Sequence, residues 1–225
     1  MDTVGLRMKR AIVELRYDPV LPYRTLRENL FDPLMKNFTT LKMTNISMEL
    51  INEDLHYKIF SESSRSGMYF ENIKNHEEYI DMTARYLSQV LKGYGREELR
   101  RIGNRYYWLL PYKGSFEDLF ARMKADIYKE PINVFGEILD LGVFGLTAKD
   151  GNYKININVG PVRKKELTSQ NEFNYDDDPE AGILVDIDMY SDVKLKYPVK
   201  PFLETAYNNS RIKCLKFLES IKEGK

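Results

Sequence analysis

The sequence predicts an α+β protein in which two β-α-β-β-β-α units join into one curved antiparallel sheet with helices on one face. Three observations carry that prediction. Sliding the chain along itself at an offset of 89 lays Arg16–Phe31 (RYDPVLPYRTLRENLF) over Arg105–Phe120 (RYYWLLPYKGSFEDLF), with eight of sixteen positions identical. Average residue usage would give about one match by chance. Hydrophobic periodicity then repeats the same order of elements in each half. Finally, a unit of about ninety residues has only one helical layer for one sheet face, and joining two units removes exposed strand edges.

In the first half, Ala11, Val13, Leu15 and Tyr17 alternate with Ile12, Glu14 and Arg16, the pattern of a half-buried strand. Pro22 breaks it, and Thr25 with Glu28 predicts a capping-box start for a short helix bearing Leu26, Leu30 and Leu34. Alternation at Asn45–Leu50 gives the next strand, the turn Asn52–Asp54 leads to another at His56–Ser61, and SSRSG turns into a third at Met68–Glu71. Asn75 and Glu78 cap a helix with the stripe Tyr79, Met82, Tyr86, Leu87 and Val90, stopped at Gly93.

The second half opens with a strand at Arg101–Trp108, whose Tyr106 and Trp108 face the core while Arg101, Arg105 and Tyr107 face outward. After Pro111, Ser115 and Asp118 start a helix carrying Phe116, Phe120, Met123 and Ile127. Strands are expected at Val134–Thr147, Tyr153–Val159 and Ile183–Tyr190. A closing helix from about Lys200 is expected to be interrupted at Asn208, Asn209 and Ser210. The predicted units are residues 1–95 and 96–225, the second with a loop insertion at about 160–182. By element order alone they resemble the saddle of the TATA-binding-protein fold, a likeness that carries no function.

Composition narrows the classes of activity. The 34 basic and 34 acidic side chains cancel, which excludes a globally basic protein that coats DNA. Sixteen Tyr and eleven Phe supply core enough to exclude disorder. One cysteine, Cys214, excludes an intramolecular disulfide, and with only His56 and His76 beside it a Cys/His zinc site is hard to assemble. Glu14 and Arg16 follow the basic residues at positions 7–10, where a signal peptide would need an apolar run, and the longest apolar stretch is broken by Glu137 and Asp140. The expectation is a cytoplasmic protein without membrane spans or cofactors.

Candidate chemistry is sparse. Asp186 and Asp188 are two residues apart on one strand and so share a face, as a pair holding Mg²⁺ for phosphodiester chemistry would. The same alternation fits a solvated polar face with Lys154, Asn156 and Asn158 on the neighbouring strand. Leu167–Asp192 holds eight acids and no Lys or Arg, and its first part reads as a mobile inserted loop or a docking tail for a basic partner. Its basic counterpart is Arg96, Arg100, Arg101 and Arg105, followed by aromatics suited to stacking on bases or anchoring an interface, or simply to a strand with outward arginines. Neither His56 nor His76 lies near a nucleophile pattern, and no phosphate-cradling glycine motif occurs.

VELRYDP (Val13–Pro19), RIGNRYYW (Arg101–Trp108), Gly160-Pro161 and LVDIDMY (Leu184–Tyr190) resemble a family of sporadically distributed prokaryotic proteins of about this length. Where such proteins show a histidine in the closing helix, this chain has Asn208, Asn209 and Ser210. The resemblance implies no activity, cofactor or catalytic residue, and its patchy occurrence implies a defence or mobile-element setting. The expected function is a non-enzymatic module, a homodimer being compatible, that binds a protein or nucleic-acid partner through Arg16, Arg101, Arg105 and Tyr107 on the open sheet face. The alternative is a metal-dependent enzyme acting on phosphodiesters at Asp186 and Asp188.

Overall fold

The computed structural model describes residues 5–31, 34–127, 144–173, 177–192, 195–196 and 199–223. In chain order the first half contributes β1 (Arg7–Arg16), α1 (Tyr23–Phe31), a 3-10 turn (Met35–Asn37), β2 (Thr40–Met43), β3 (Ser47–Asn52), β4 (Tyr57–Glu62), β5 (Arg65–Glu71) and α2 (His76–Gly93). The second half contributes β6 (Glu98–Leu99), β7 (Arg101–Tyr112), α3 (Phe116–Ile127), β8 (Phe144–Asp150), β9 (Tyr153–Arg163), α4 (Lys164–Ser169), β10 (Ala181–Ser191), β11 (Leu195–Lys196) and α5 (Val199–Glu223). The class is α+β, as expected.

Nine strands form one open antiparallel sheet in the order β2-β3-β4-β5-β1-β7-β10-β9-β8, and β6 and β11 form a separate two-stranded ribbon. The first strands of the two halves, β1 and β7, pair at the centre. Outward from that seam each side runs through its half's last large strand and then backwards, β5-β4-β3 on one side and β10-β9-β8 on the other. Glu14 and Gly103, which the offset of 89 superposes, are Cα partners across the seam.

Alternation sets the core. Ala11, Val13, Leu15, Ile102, Tyr106, Trp108, Ile183, Val185, Ile187 and Met189 are all buried and belong to one cluster with residues of α1, α2, α3 and α5. A fully buried side-chain amide in this layer, that of Asn104, is satisfied on both ends: Tyr79 Oη donates to Asn104 Oδ1 at 3.0 Å, and Asn104 Nδ2 donates to Tyr106 Oη at 2.7 Å. Such satisfaction is what makes a buried polar group tolerable. No helix among the described residues is long and apolar enough to cross a membrane.

Local signals place the helices well where the capping group is a side chain. Asn75 accepts from the amides of Glu77 and Glu78 at the start of α2. Ser115 Oγ donates to Asp118 Oδ2 at 2.8 Å and accepts from the Asp118 amide at 3.1 Å, the reciprocal cap the sequence predicts for α3. At the end of α2 the left-handed residue is Gly95 (φ 61°), with Arg96 N bonded to Leu91 O and Gly95 N to Lys92 O, a Schellman motif.

Five expectations need correction. Helix α1 begins at Tyr23, with the Leu26 amide closing its first turn on the Pro22 carbonyl, so Thr25 lies inside the helix rather than capping it. Strand β7 continues through Pro111 to Tyr112. Helix α5 runs unbroken through Asn208–Ser210, because Ser210 Oγ bonds back to the Tyr207 carbonyl and receives Trp108 Nε1, satisfying the polar group without opening the helix. Residues 160–163 continue β9 and 164–169 form α4, so the insertion is not loop throughout. Finally, four helices share one face of the sheet, but α4 packs on the other, where Leu167 joins Leu109, Val162 and Leu184. The predicted strand Val134–Thr147 is met at 144–147 by β8; residues 134–143 lie outside the described residues.

Candidate binding face

The sheet face opposite the four large helices has two unlike ends. One is covered by the chain itself. After β9, α4 sits on β7, β9 and β10, and residues 170–173 and 177–180 continue across β1 to β5 and β4 as a strap. The sequence suggested a mobile acidic loop here, or a tail for a basic partner. Its carboxylates instead meet basic side chains of the same molecule: Asp178 meets Lys9 at 2.5 Å, Asp177 meets Arg7 at 3.1 Å and Glu172 meets Lys58 at 2.5 Å.

A shift of register between Met8 and Arg10 makes this docking work. Met8 reaches the core, while Lys9 and Arg10 on the far side of the bulge both engage the strap, Arg10 donating to the Gln170 carbonyl at 2.5 Å. Bulges re-aim side chains in this way. From β5, the buried Glu71 carboxylate accepts the backbone amides of Glu172 at 2.9 Å and Phe173 at 3.2 Å, and also the Tyr69 hydroxyl. Phe173 packs with Ile12, Ile51 and Tyr69 and stacks on His56. Burial raises the Tyr69 hydroxyl pKa, and its hydrogen bond to Glu71 raises it further.

The other end of this face is bare, and it carries the arginines and aspartates the sequence singled out, Arg16, Arg101, Arg105, Asp186 and Asp188. Cross-strand register defines its rows. One row reads Phe60, Gly67, Glu14, Gly103, Tyr190 and Lys154 across β4, β5, β1, β7, β10 and β9. In the next, Arg65, Arg16 and Arg101 stand side by side on β5, β1 and β7. The opposite neighbour is the row of Ile12, Arg105, Asp188 and Asn156. A cavity of ≈ 250 Å³ opens beside them, lined among others by Glu49, Phe60, Glu62 and Arg65.

The arginines and the aspartates, which belonged to rival readings of the sequence, meet here. Arg105 grips Asp186 with both ends of its fork, Nε at 2.8 Å and Nη2 at 2.6 Å, and Asn158 adds a contact at 3.3 Å. Such forked pairs are the strong class of charged hydrogen bond. Arg101 lies 3.7 Å from Asp188 and stacks over the Tyr190 ring at 3.9 Å. Arg16 donates through Nε to Glu14 at 2.6 Å. Tyr107 is held between Arg10 and Arg105, each 5.0 Å from its ring centroid.

The electrostatics follow from partial burial. Burial pushes the Asp188 carboxyl up, against the pull of Arg101 and Arg105. Burial likewise raises the Tyr107 hydroxyl pKa. The Asp186 hydrogen bond holds Arg105 further into its charged form. An ion seated between Asp186 and Asp188 would have to displace a guanidinium that already occupies both Asp186 oxygens. Among the described residues no cluster of three or more His, Cys, Asp or Glu is placed to hold a metal.

Arg16 and Arg105, equivalent at the offset of 89, differ in surroundings. Arg16 faces Arg101 across the seam, whereas Arg105 faces Ile12 and is tied to Asp186. Sequence reasoning did not pick out Glu14, Gly67, Gly103, Lys9, Glu71 or Phe173. An alternating pattern puts Glu14 on this face but cannot say that glycines flank it on both neighbouring strands. The histidines lie elsewhere: His76 stacks on Tyr207 with ring centroids 4.3 Å apart, and Cys214 is buried, which pushes its thiol pKa up to about 12. No protein-family model matches the chain, and no curated protein matches it.

Proposed function

We propose that this chain is a non-enzymatic, protein-binding module that takes its partner on the bare end of the open sheet face. The observation that carries the reading is charge balance combined with arginine and aromatic content. Arg16, Arg65, Arg101 and Arg105 each have a carboxylate neighbour in Glu14, Glu62, Asp188 or Asp186, with Phe60, Tyr107 and Tyr190 among them. Arginine and tyrosine are enriched where proteins meet, and a mixed-charge surface sets register and specificity there. A nucleic-acid site needs an uncompensated run of cations to neutralise phosphates, and the cations under the strap are already paired with its acids. Duplication of one ancestral unit, homodimerisation, a cytoplasmic setting and the defence or mobile-element context implied by the resemblance belong to the same proposal.

The test is affinity capture from a nuclease-treated lysate of the native cell, comparing the wild-type protein with Arg16→Ala/Arg105→Ala at matched thermal stability. The expected outcome is a protein retained by the wild type and lost by the variant. Equal retention of every captured protein by both would sink the reading, as would capture found only in a parallel lysate left without nuclease.

A further inference from the structure

Arg16 is the Cα partner of Arg65 on one side and of Arg101 on the other. Like charges directly opposite one another on neighbouring strands destabilise a sheet. The surrounding carboxylates relieve this unevenly. Arg65 is held by Glu62 through two bonds of 2.8 and 2.6 Å and reaches Glu14 at 3.4 Å. Arg16 spends only its Nε, on Glu14, and its side chain is 50% exposed. The Arg101 side chain makes no hydrogen bond among the described residues; Asp188 stands 3.7 Å away and the guanidinium carbon lies 3.9 Å from the centroid of the Tyr190 ring. Of the other nearby acids, Asp192 is bound to Lys154 at 2.9 Å, with Arg101 and Arg16 also drawing on its charge, and Asp18 pairs with Arg100. Apart from the 3.7 Å approach of Asp188 to Arg101 Nη2, the terminal nitrogens of Arg16 and Arg101 are therefore a pair of donor forks on adjacent strands that make no hydrogen bond among the described residues.

The covered end of the same face shows what such cations accept. There Arg7, Lys9 and Lys58 receive Asp177, Asp178 and Glu172 from an acidic segment lying across the strands. We infer that the Arg16/Arg101 pair is the receptor for a carboxylate on an acidic segment of the protein partner, laid over the bare end as the strap is laid over the other. This rests on the protein-binding reading above and specifies its chemistry. Two guanidinium groups bounded by Glu14, Glu62 and Asp188 suit one or two carboxylates and not a polyphosphate backbone. The planar fork matches a carboxylate bidentately, which a lysine ammonium does not.

A fluorescein-labelled hexa-aspartate peptide is the probe, read by anisotropy at low salt against the full chain. Binding is expected, weakened about tenfold, a loss of about 1.4 kcal/mol, in Arg16→Ala/Arg101→Ala. Arg16→Lys/Arg101→Lys should lie between the two, because it keeps the charge and removes the fork. Neither arginine belongs to the hydrophobic core, Arg16 being 50% and Arg101 29% exposed at the side chain, and unchanged melting temperatures check that the fold survives. Affinity unaffected by the double alanine change overturns the proposal, as does absence of peptide binding. A thymidine oligonucleotide of equal charge that binds more tightly through the same two arginines also overturns it, in favour of a phosphate ligand. If the peptide fails while lysate capture still depends on Arg16 and Arg105, the carboxylate chemistry is wrong and the protein-binding reading stands; if capture fails as well, both fall.

Discussion

Lys9 Nζ and Asp178 Oδ1 meet at 2.5 Å across 169 residues of sequence, with side-chain exposures of 5% and 0%. This contact joins the bulge of β1 to the segment returning over the open face. Burial lowers the Lys9 pKa, opposed by the hydrogen bond and charge of Asp178 and by Asp177 and Glu71. Removing one member of a buried pair strands the other charge. Lys9→Met should cost about 3 kcal/mol in urea unfolding, the low end for such pairs because Arg7 and Asn171 still reach Asp178. Lys9→Met/Asp178→Leu should cost less than Lys9→Met alone. A double variant less stable than the single would show that the ion pair contributes more than its desolvation removes.

Glu71 tests whether the strap is held by backbone capture. Its carboxylate accepts the amides of Glu172 and Phe173, so Glu71→Gln replaces one acceptor oxygen by a donor that cannot serve them. Hydrogen exchange at those two amides should accelerate at least tenfold, while amides in β1 and β7 keep their protection. Uniform acceleration across the sheet would instead make Glu71 part of the global fold.

High pH should unfold the protein abruptly. Burial raises the hydroxyl pKa of Tyr17 to about 12 and also raises those of Tyr79, Tyr86, Tyr94 and Tyr106 above the ordinary 10.0. Below pH 10 both folded and unfolded chains keep these protons, and the stabilisation is complete. Above pH 10 only the unfolded chain releases them, so each deeply buried tyrosine removes about 1.4 kcal/mol per pH unit. Lys9 acts in the opposite sense, since its lowered pKa adds stability as pH rises towards 10.5, but it is one group against five. Circular dichroism and a cooperative late step in tyrosinate absorbance should therefore change together between pH 10 and 12; all sixteen tyrosines ionised in a still folded protein would contradict this.

Two glycine substitutions should separate crowding from backbone conformation. A Cβ at Gly67 would collide with the Val13 carbonyl oxygen and the Phe60 ring, whereas one at Gly95 meets nothing but requires φ of 61°. Gly67→Ala is expected to cost about 3 kcal/mol or more, because a backbone atom cannot yield as a side chain does. Gly95→Ala is expected to cost about 1 kcal/mol. Thermal melts of the two variants rank them; a milder Gly67→Ala would mean that β1 and β5 can separate locally.

What could be read in the chain is what short-range physics fixes. Period-two alternation identified the inward faces of β1, β7 and β10, and with them which side Arg16, Arg101, Arg105, Asp186 and Asp188 occupy. The caps at Asn75 and Ser115 were legible because both partners of each bond lie within three residues. The unbroken α5 was not: Ser210 is satisfied by Trp108, which lies 102 residues away.

Long-range pairing decided the rest. Nothing in a local pattern says that Arg105 will stand beside Asp186, 81 residues on, so residues that seemed to support rival activities became one charge-balanced face. The α+β class, the common side of the four large helices and the neutral balance of 34 against 34 charges follow from sequence alone. Tertiary structure decided where the balance is struck. The bulge after Met8 turns Lys9 and Arg10 towards an acidic segment that would otherwise repel itself, and burying those pairs covers one end of the sheet face and leaves the other open.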